Sequence, residues 1–362
     1  MSQPQRSVAA TSLHQKSIVI DGHSDILIAL TDGRMHLRDR VEVESPQTWQ
    51  GAPYVRMPIN NSPFFLSPYS IWYECMGQYD IPRWQEGGVT AQVMAIYMGE
   101  EHLHRPLERA LDMTAAFHRE IEANPDTLLL ATTAADIRRA KAEGKTALLL
   151  SFEGGEPLGR NLTMLDIFYR LGLRMISLTH SRRNELADGT QLHIQTGGLT
   201  PLGHELIERM NTLGMVIDLA HLSDAGVWEV VERSKSPVIY SHTSIHDAPG
   251  YKTALSAIDP QHGTSKLRAV ANKGGVACAI FFGQADANAI VDDIEMMIDH
   301  VGSDHVGIGT DFFSLAHIPS DLEDISRLPR LTEAMIERGF SDDTIEKVLG
   351  GNLLRVFEAV LG

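Results

Sequence analysis

The sequence predicts an α/β fold, a (β/α)8 barrel of the TIM type forming one domain over residues 1–362, with a Pro- and aromatic-rich insertion after the first strand. Three observations predict it. Eight short apolar runs are bounded by turn residues, amphipathic stretches lie between most of them, and six of the eight runs end in a histidine or a carboxylate. Buried parallel strands read as near-continuous Val, Ile, Leu and Ala, and their alternation with helices gives a closed barrel or an open doubly wound sheet. The third observation favours the barrel, because barrel enzymes carry their working groups at the C-terminal ends of the strands.

In chain order the predicted strands are Ser17 to Ile20, Ala91 to Tyr97, Thr146 to Phe152, Met175 to Thr179, Met215 to Ala220, Pro237 to Ser241, Gly275 to Phe282 and His305 to Thr310. Helical spacing between them is clear in Leu162, Leu165, Phe168, Tyr169 and Leu171, and again in Leu202, Leu206, Ile207, Met210 and Leu213. The stretch from about Arg40 to Gly88 breaks the alternation with six prolines and with Trp49, Phe64, Phe65, Tyr69, Trp72 and Trp84. It is either a loop packed by its own aromatic side chains, or a substrate-covering lid or subunit contact. The tail from Arg327 to Leu361 has helical periodicity and fits the closing helices of the same domain.

Charge and composition narrow the partners. A formal net charge of −16 argues against a nucleic-acid backbone or an anionic membrane, both of which reward clustered Lys and Arg, and fits a small-molecule substrate. No apolar run approaches the roughly 20 residues that span a bilayer, and Met1 to Lys16 has no apolar block resembling a signal peptide. The expectation is a cytoplasmic protein, with a homodimer compatible. Only Cys75 and Cys278 occur, so neither a disulfide framework nor a Cys-based zinc site is expected.

The strand ends carry the chemistry. The first is followed by Asp21-Gly22-His23-Ser24-Asp25, the third by Glu153-Gly154-Gly155, the fourth by His180, the fifth by His221, the sixth by His242 and the eighth by Asp311. Any single histidine is more simply a structural residue, but four at equivalent positions are not. His23 and Asp25 are two apart and face one side if the chain is extended, so they can share one ion. His221 and His242, on neighbouring strands, can share a second, with Glu153 bridging through its two oxygens. Two divalent ions about 3.5–4 Å apart activate a shared water as hydroxide, which points to hydrolysis. Asp311 is placed to carry the proton, its alternative being a helix N-cap. His180 suits an oxyanion donor, a further ligand or a structural group.

These segments resemble the membrane (renal) dipeptidase family of the amidohydrolase superfamily. The resemblance runs along nearly the whole chain, through Ile18-Val19-Ile20-Asp21-Gly22-His23-Ser24-Asp25, Phe152-Glu153-Gly154-Gly155, Leu178-Thr179-His180, Ile217-Asp218-Leu219-Ala220-His221, Tyr240-Ser241-His242-Thr243, Gly307-Ile308-Gly309-Thr310-Asp311-Phe312 and Gly351-Asn352-Leu353-Leu354-Arg355. It implies two zinc ions, one on His23 and Asp25, one on His221 and His242, with Glu153 bridging, His180 touching substrate and Asp311 transferring the proton. Two departures stand out. The family's Asp-Phe-Asp-Gly reads Asp311-Phe312-Phe313-Ser314 here, and its Arg-Asn pair after the sixth-strand histidine is replaced by His246-Asp247-Ala248-Pro249-Gly250-Tyr251-Lys252-Thr253. That Arg binds the dipeptide carboxylate, so Arg182, Arg183 and Lys252 become the candidate replacements. N-acyl amino acids and lactones stay open as substrates, as does a non-catalytic barrel.

Overall fold

The computed structural model describes residues 3–41, 56–59, 62–65, 77–190, 197–245, 260–281, 283–312 and 318–362. Its strands are β1 (Ile20–Asp21), β2 (Arg56–Ile59), β3 (Ser62–Phe65), β4 (Ala91–Tyr97), β5 (Leu128–Leu130), β6 (Thr146–Glu153), β7 (Leu173–Ser177), β8 (Val216–Asp218), β9 (Ile239–Thr243), β10 (Val276–Ala279) and β11 (Val306–Ile308). Eight of them pair in the order β1-β4-β6-β7-β8-β9-β10-β11, every pair parallel. The Gly22 amide donates to the Ile308 carbonyl at 3.0 Å and joins the last strand to the first. This is the (β/α)8 barrel that the sequence predicts.

Side-chain alternation divides the core in two. Val93, Leu149, Met175, Val216, Ile239, Val276 and Cys278 fill the barrel interior, while their strand neighbours Met94, Ile96, Leu148 and Leu150 pack outward against the helices. The last helix, Asn352–Leu361, adds Leu353, Val356 and Phe357 to the interior cluster. It enters from the N-terminal end of the strands: Asn352 Nδ2 donates to the Val306 carbonyl at 2.8 Å and to the Ser303 carbonyl at 2.7 Å, at the start of β11. One mouth of the barrel is therefore stoppered by apolar side chains, leaving the C-terminal mouth for chemistry.

Several elements differ from expectation. β1 is two residues long and begins where the predicted first strand ends, and β9 runs on through His242, which is inside the strand rather than after it. Leu128–Leu130 forms an additional parallel strand against the start of β6. Within the insertion, β2 and β3 form an antiparallel hairpin, and Ile81–Glu86 is a helix capped by the Asp80 carboxylate, which accepts the Arg83 amide at 2.8 Å. Trp84 is fully buried and donates to Gln92 at 3.1 Å, so this aromatic packs into the domain. Of the other aromatics of the insertion, Trp49, Tyr69 and Trp72 lie outside the described residues. The tail forms helices over Leu328–Arg338, Asp342–Glu346 and Asn352–Leu361, as expected. Cys278 is buried and free, and no described helix is long and apolar enough to cross a membrane.

Candidate active site

The seven side chains singled out at the strand ends converge at one mouth of the barrel. His180, His221 and Asp311 each stand three residues beyond β7, β8 and β11, Glu153 is the last residue of β6, and His23 and Asp25 follow β1. The backbone must bend sharply to achieve this. His221 and Asp311 adopt left-handed conformations, with φ of 61° and 47°, and are the described non-glycine residues that do so. Such conformations cost of order 1–3 kcal/mol and persist where the surroundings enforce them. Beneath them the chains touch: a Cβ on Gly309 would lie 1.8 Å, and one on Gly22 2.7 Å, from the Ser241 carbonyl oxygen, so both positions require glycine.

Glu153 is the centre of the cluster. Its Oε1 lies 3.1 Å from His221 Nε2 and 3.7 Å from the Nε2 atoms of both His23 and His242. The His221 and His242 Nε2 atoms are 2.9 Å apart. On the other side, His23 Nε2 is 3.7 Å from Asp25 and 3.8 Å from Asp311. Ligand atoms of His23, Glu153 and His242 lie within 4.8 Å of one another, as do those of Glu153, His180 and His221, and those of His23, Asp25 and Asp311. His23 Nε2 and Asp25 Oδ1 are buried without a hydrogen-bond partner among the described residues. Buried polar atoms of that kind are costly unless something meets them, and imidazole and carboxylate donors at this spacing fit divalent cations. His180 also stands within ligand reach of this group.

The electrostatics favour added positive charge. Burial pushes the Asp311 carboxyl up to about 7, with the neighbouring Asp25 and Glu153 carboxylates adding to the rise and His23 opposing it. Burial and Glu153 also raise Asp25. Burial works against a charged His23, but Glu153, Asp25 and Asp311 hold it well above the usual histidine range. Burial alone would raise Glu153, yet His23, His180 and His221 hold it well below the carboxylate range. His180 is pushed down to about 3 by burial and by the His221 charge beside it. Asp25, Asp311 and His23 are the groups drawn toward their protonated forms, and a metal cation binding beside them would displace those protons.

A second layer, which sequence reasoning passed over, fixes these groups. Buried Asp21 accepts the Thr310 amide at 2.7 Å, the Thr310 hydroxyl at 2.7 Å and Gln92 Nε2 at 2.9 Å. Tyr79 from the insertion bonds the same Thr310 hydroxyl at 2.6 Å and accepts the Phe312 amide at 3.2 Å. Asp311 is thus clamped on both sides in its strained conformation. Tyr79→Phe removes an acceptor for the buried Phe312 amide, at a cost of about 1–3 kcal/mol in stability. The expected result is a three- to tenfold lower kcat at unchanged metal content, measured by steady-state kinetics beside elemental analysis; an unchanged kcat contradicts the clamp.

The candidate substrate anchors separate clearly. Arg183 has its Nε and Nη2 both on the buried Asp188, the latter at 2.8 Å. Arg182 donates to Glu156 at 3.1 Å and to the Met98 carbonyl, and its guanidinium carbon lies 5.7 Å from the Tyr97 ring centroid. The Tyr97 ring in turn meets His180 edge-on at 4.7 Å. Tyr97 ends β4 in register with Glu153, a strand end to which the sequence reading gave no role. Its position at the end of the predicted strand Ala91 to Tyr97 was the available signal. Lys252 lies outside the described residues.

Residues 8–361 match the family model for membrane dipeptidase, peptidase family M19. The dipeptidase aclJ of Aspergillus oryzae is 31% identical over 305 residues, 78% of this chain and 70% of that protein. The dipeptidase tcpJ of Claviceps purpurea is 29% identical over 301 residues, 78% of this chain and 69% of that protein. Among solved structures, a metallo peptidase from Rhodobacter sphaeroides, liganded with a phosphinate mimic of L-Ala-D-Ala, superposes with a TM-score of 0.76 at 23% identity, over 95% of this chain and 99% of that one. With a matching family model over nearly its whole length, the chain belongs to the membrane dipeptidase family and is a metal-dependent dipeptidase.

Proposed function

We propose that the protein is a binuclear zinc enzyme that hydrolyses the peptide bond of dipeptides. The observation that carries this reading is Glu153 Oε1 lying 3.1–3.7 Å from three imidazole Nε2 atoms contributed by β9 and by the loops after β1 and β8. His23 and Asp25 would hold one ion, His221 and His242 the other, with Glu153 between them. When bound, two such ions supply Lewis acidity and a water acidic enough to ionise near neutral pH. Asp311, 3.8 Å from His23, takes the proton of the attacking water and returns it to the leaving amine nitrogen. His180, which its surroundings keep neutral, presents an N–H to the oxygen of the carbonyl under attack.

A dipeptide brings a free carboxylate, and burying it costs several kcal/mol unless a cation meets it. Of the two described candidates, Arg182 is the one beside the Tyr97 ring that meets His180, where Glu156 and the Met98 carbonyl already hold it, while the fork of Arg183 is engaged by Asp188. At least one of Arg182→Ala, Arg183→Ala and Lys252→Ala is expected to raise KM for a dipeptide tenfold or more, and Arg182→Ala is the expected one. The effect should be smaller on a substrate with an amidated C-terminus. Steady-state kinetics on the paired substrates check this, and no effect from any of the three contradicts it. The whole reading is tested by turnover on dipeptides, N-acyl amino acids and lactones before and after chelation. Metal-restored activity greatest on dipeptides supports it; preference for either other class replaces the substrate assignment.

A further inference from the structure

We propose that Ser177 and Thr179, at the end of β7, are positioning residues whose hydroxyls lock the turn that carries His221 and so aim its imidazole at Glu153. The inference rests on the reading of His221 as a metal ligand, but the lock itself is a property of the protein without metal.

His221 is the third residue of a turn closed by the Leu222 amide, which donates to the Leu219 carbonyl at 3.2 Å. Its φ of 61° is positive while that of Ala220 is not, the pattern of a type II turn, whose third position is normally taken by glycine or asparagine. The commoner type I turn differs by a flip of the peptide between Ala220 and His221, and that flip would re-aim the histidine side chain. Something must hold this peptide. Ser177 is buried two residues on from Met175, on the inner face of the barrel, and is paired in register with Glu153 on one side and Asp218 on the other. Its Oγ lies 2.6 Å from the Ala220 carbonyl oxygen and 2.8 Å from that of Thr179, and because both partners are carbonyls the hydroxyl donates. The Thr179 hydroxyl donates to the His221 carbonyl at 3.2 Å, where the Thr190 amide adds a bond at 3.0 Å. The two peptide planes that flank the His221 Cα are thus each held by a hydroxyl from the end of β7. The outcome is an Nε2 atom 3.1 Å from Glu153 and a ring centroid 4.2 Å from that of His180. Thr179 immediately precedes His180, so the Ser177 hydroxyl ties together the backbone leading into both imidazoles. Removing groups that orient a metal ligand typically lowers metal affinity 10–100-fold.

Ser177→Ala removes the hydroxyl without adding bulk, and Ser177→Thr restores it. In crystal structures of the metal-free protein, the wild type and Ser177→Thr should keep His221 at positive φ with its imidazole on Glu153, whereas Ser177→Ala should show the Ala220–His221 peptide flipped and the His221 φ negative. Titration with zinc should show one ion bound 10–100-fold less tightly in Ser177→Ala and the other within threefold of the wild type. Thr179→Val leaves the Thr190 amide on the His221 carbonyl, so it should weaken the same ion by a smaller factor, about three- to tenfold. In a His221→Ala background, Ser177→Ala should change zinc affinity less than threefold, because its effect passes through His221; a merely structural role would weaken binding there as much as in the wild type. An unflipped peptide with both affinities unchanged in Ser177→Ala overturns the proposal, as does an equal loss of affinity with and without His221. If Ser177→Ala does not fold, unchanged affinities in Thr179→Val overturn it instead. If the peptide flips as expected and the wild type binds no zinc, the lock stands and the metal reading fails.

Discussion

Asp311→Asn should lower kcat by about 10²–10⁴-fold while both metal ions remain bound, the range typical of a positioned acid-base group. The amide has the shape of the carboxyl but cannot take a proton from the attacking water. The substitution is otherwise mild. Asn tolerates the left-handed backbone at φ 47° as Asp does, and the Thr310 and Phe312 contacts to Asp21 and Tyr79 do not involve the Asp311 side chain. Asp311 faces His23 at 3.8 Å and shares a potential ligand group with His23 and Asp25, so proton carrier and metal ligand are competing roles. Steady-state kinetics and elemental analysis on the same preparation separate them. Retention of more than a tenth of the wild-type kcat rules out the proton carrier, and loss of an ion makes Asp311 a ligand.

Glu153→Gln should strip both ions rather than one. The three Nε2 atoms around Glu153 Oε1 belong to His23 on one side of the centre and to His221 and His242 on the other, and a neutral amide cannot bridge two cations as a carboxylate does. The fold should survive, because Glu153 holds its place through backbone register with Tyr97 and Ser177. Dialysis against a free zinc concentration that keeps the wild type loaded should leave the variant with well under one ion per chain. Full wild-type metal content in the variant would remove Glu153 from the centre.

The barrel and its cluster were legible because a parallel strand buried on both faces leaves an uninterrupted apolar run, and the first polar residue beyond it marks the mouth. That logic located Glu153, His180, His221, His242 and Asp311 without any knowledge of how the strands pair. It failed where the signal is tertiary. Leu128–Leu130 is only three residues of Leu, too short to be separated from the end of the preceding helix, and it becomes a strand because the start of β6 offers it partners. Asp21 and Thr310 are 289 residues apart, and nothing local distinguishes a carboxylate that braces two strands from one that binds an ion. Arg182 and Arg183 are adjacent and chemically identical, and only the folded loop shows one beside Tyr97 and the other on Asp188.

A two-metal centre held by His23, Asp25, Glu153, His221 and His242 is tested most simply by the number of ions per chain. Elemental analysis of the metal-saturated protein, after removal of loosely bound ions, should give two divalent ions per chain, and turnover of a dipeptide should return in step with them after chelation and reloading. A saturated protein that holds at most one ion, with full activity, would contradict the account.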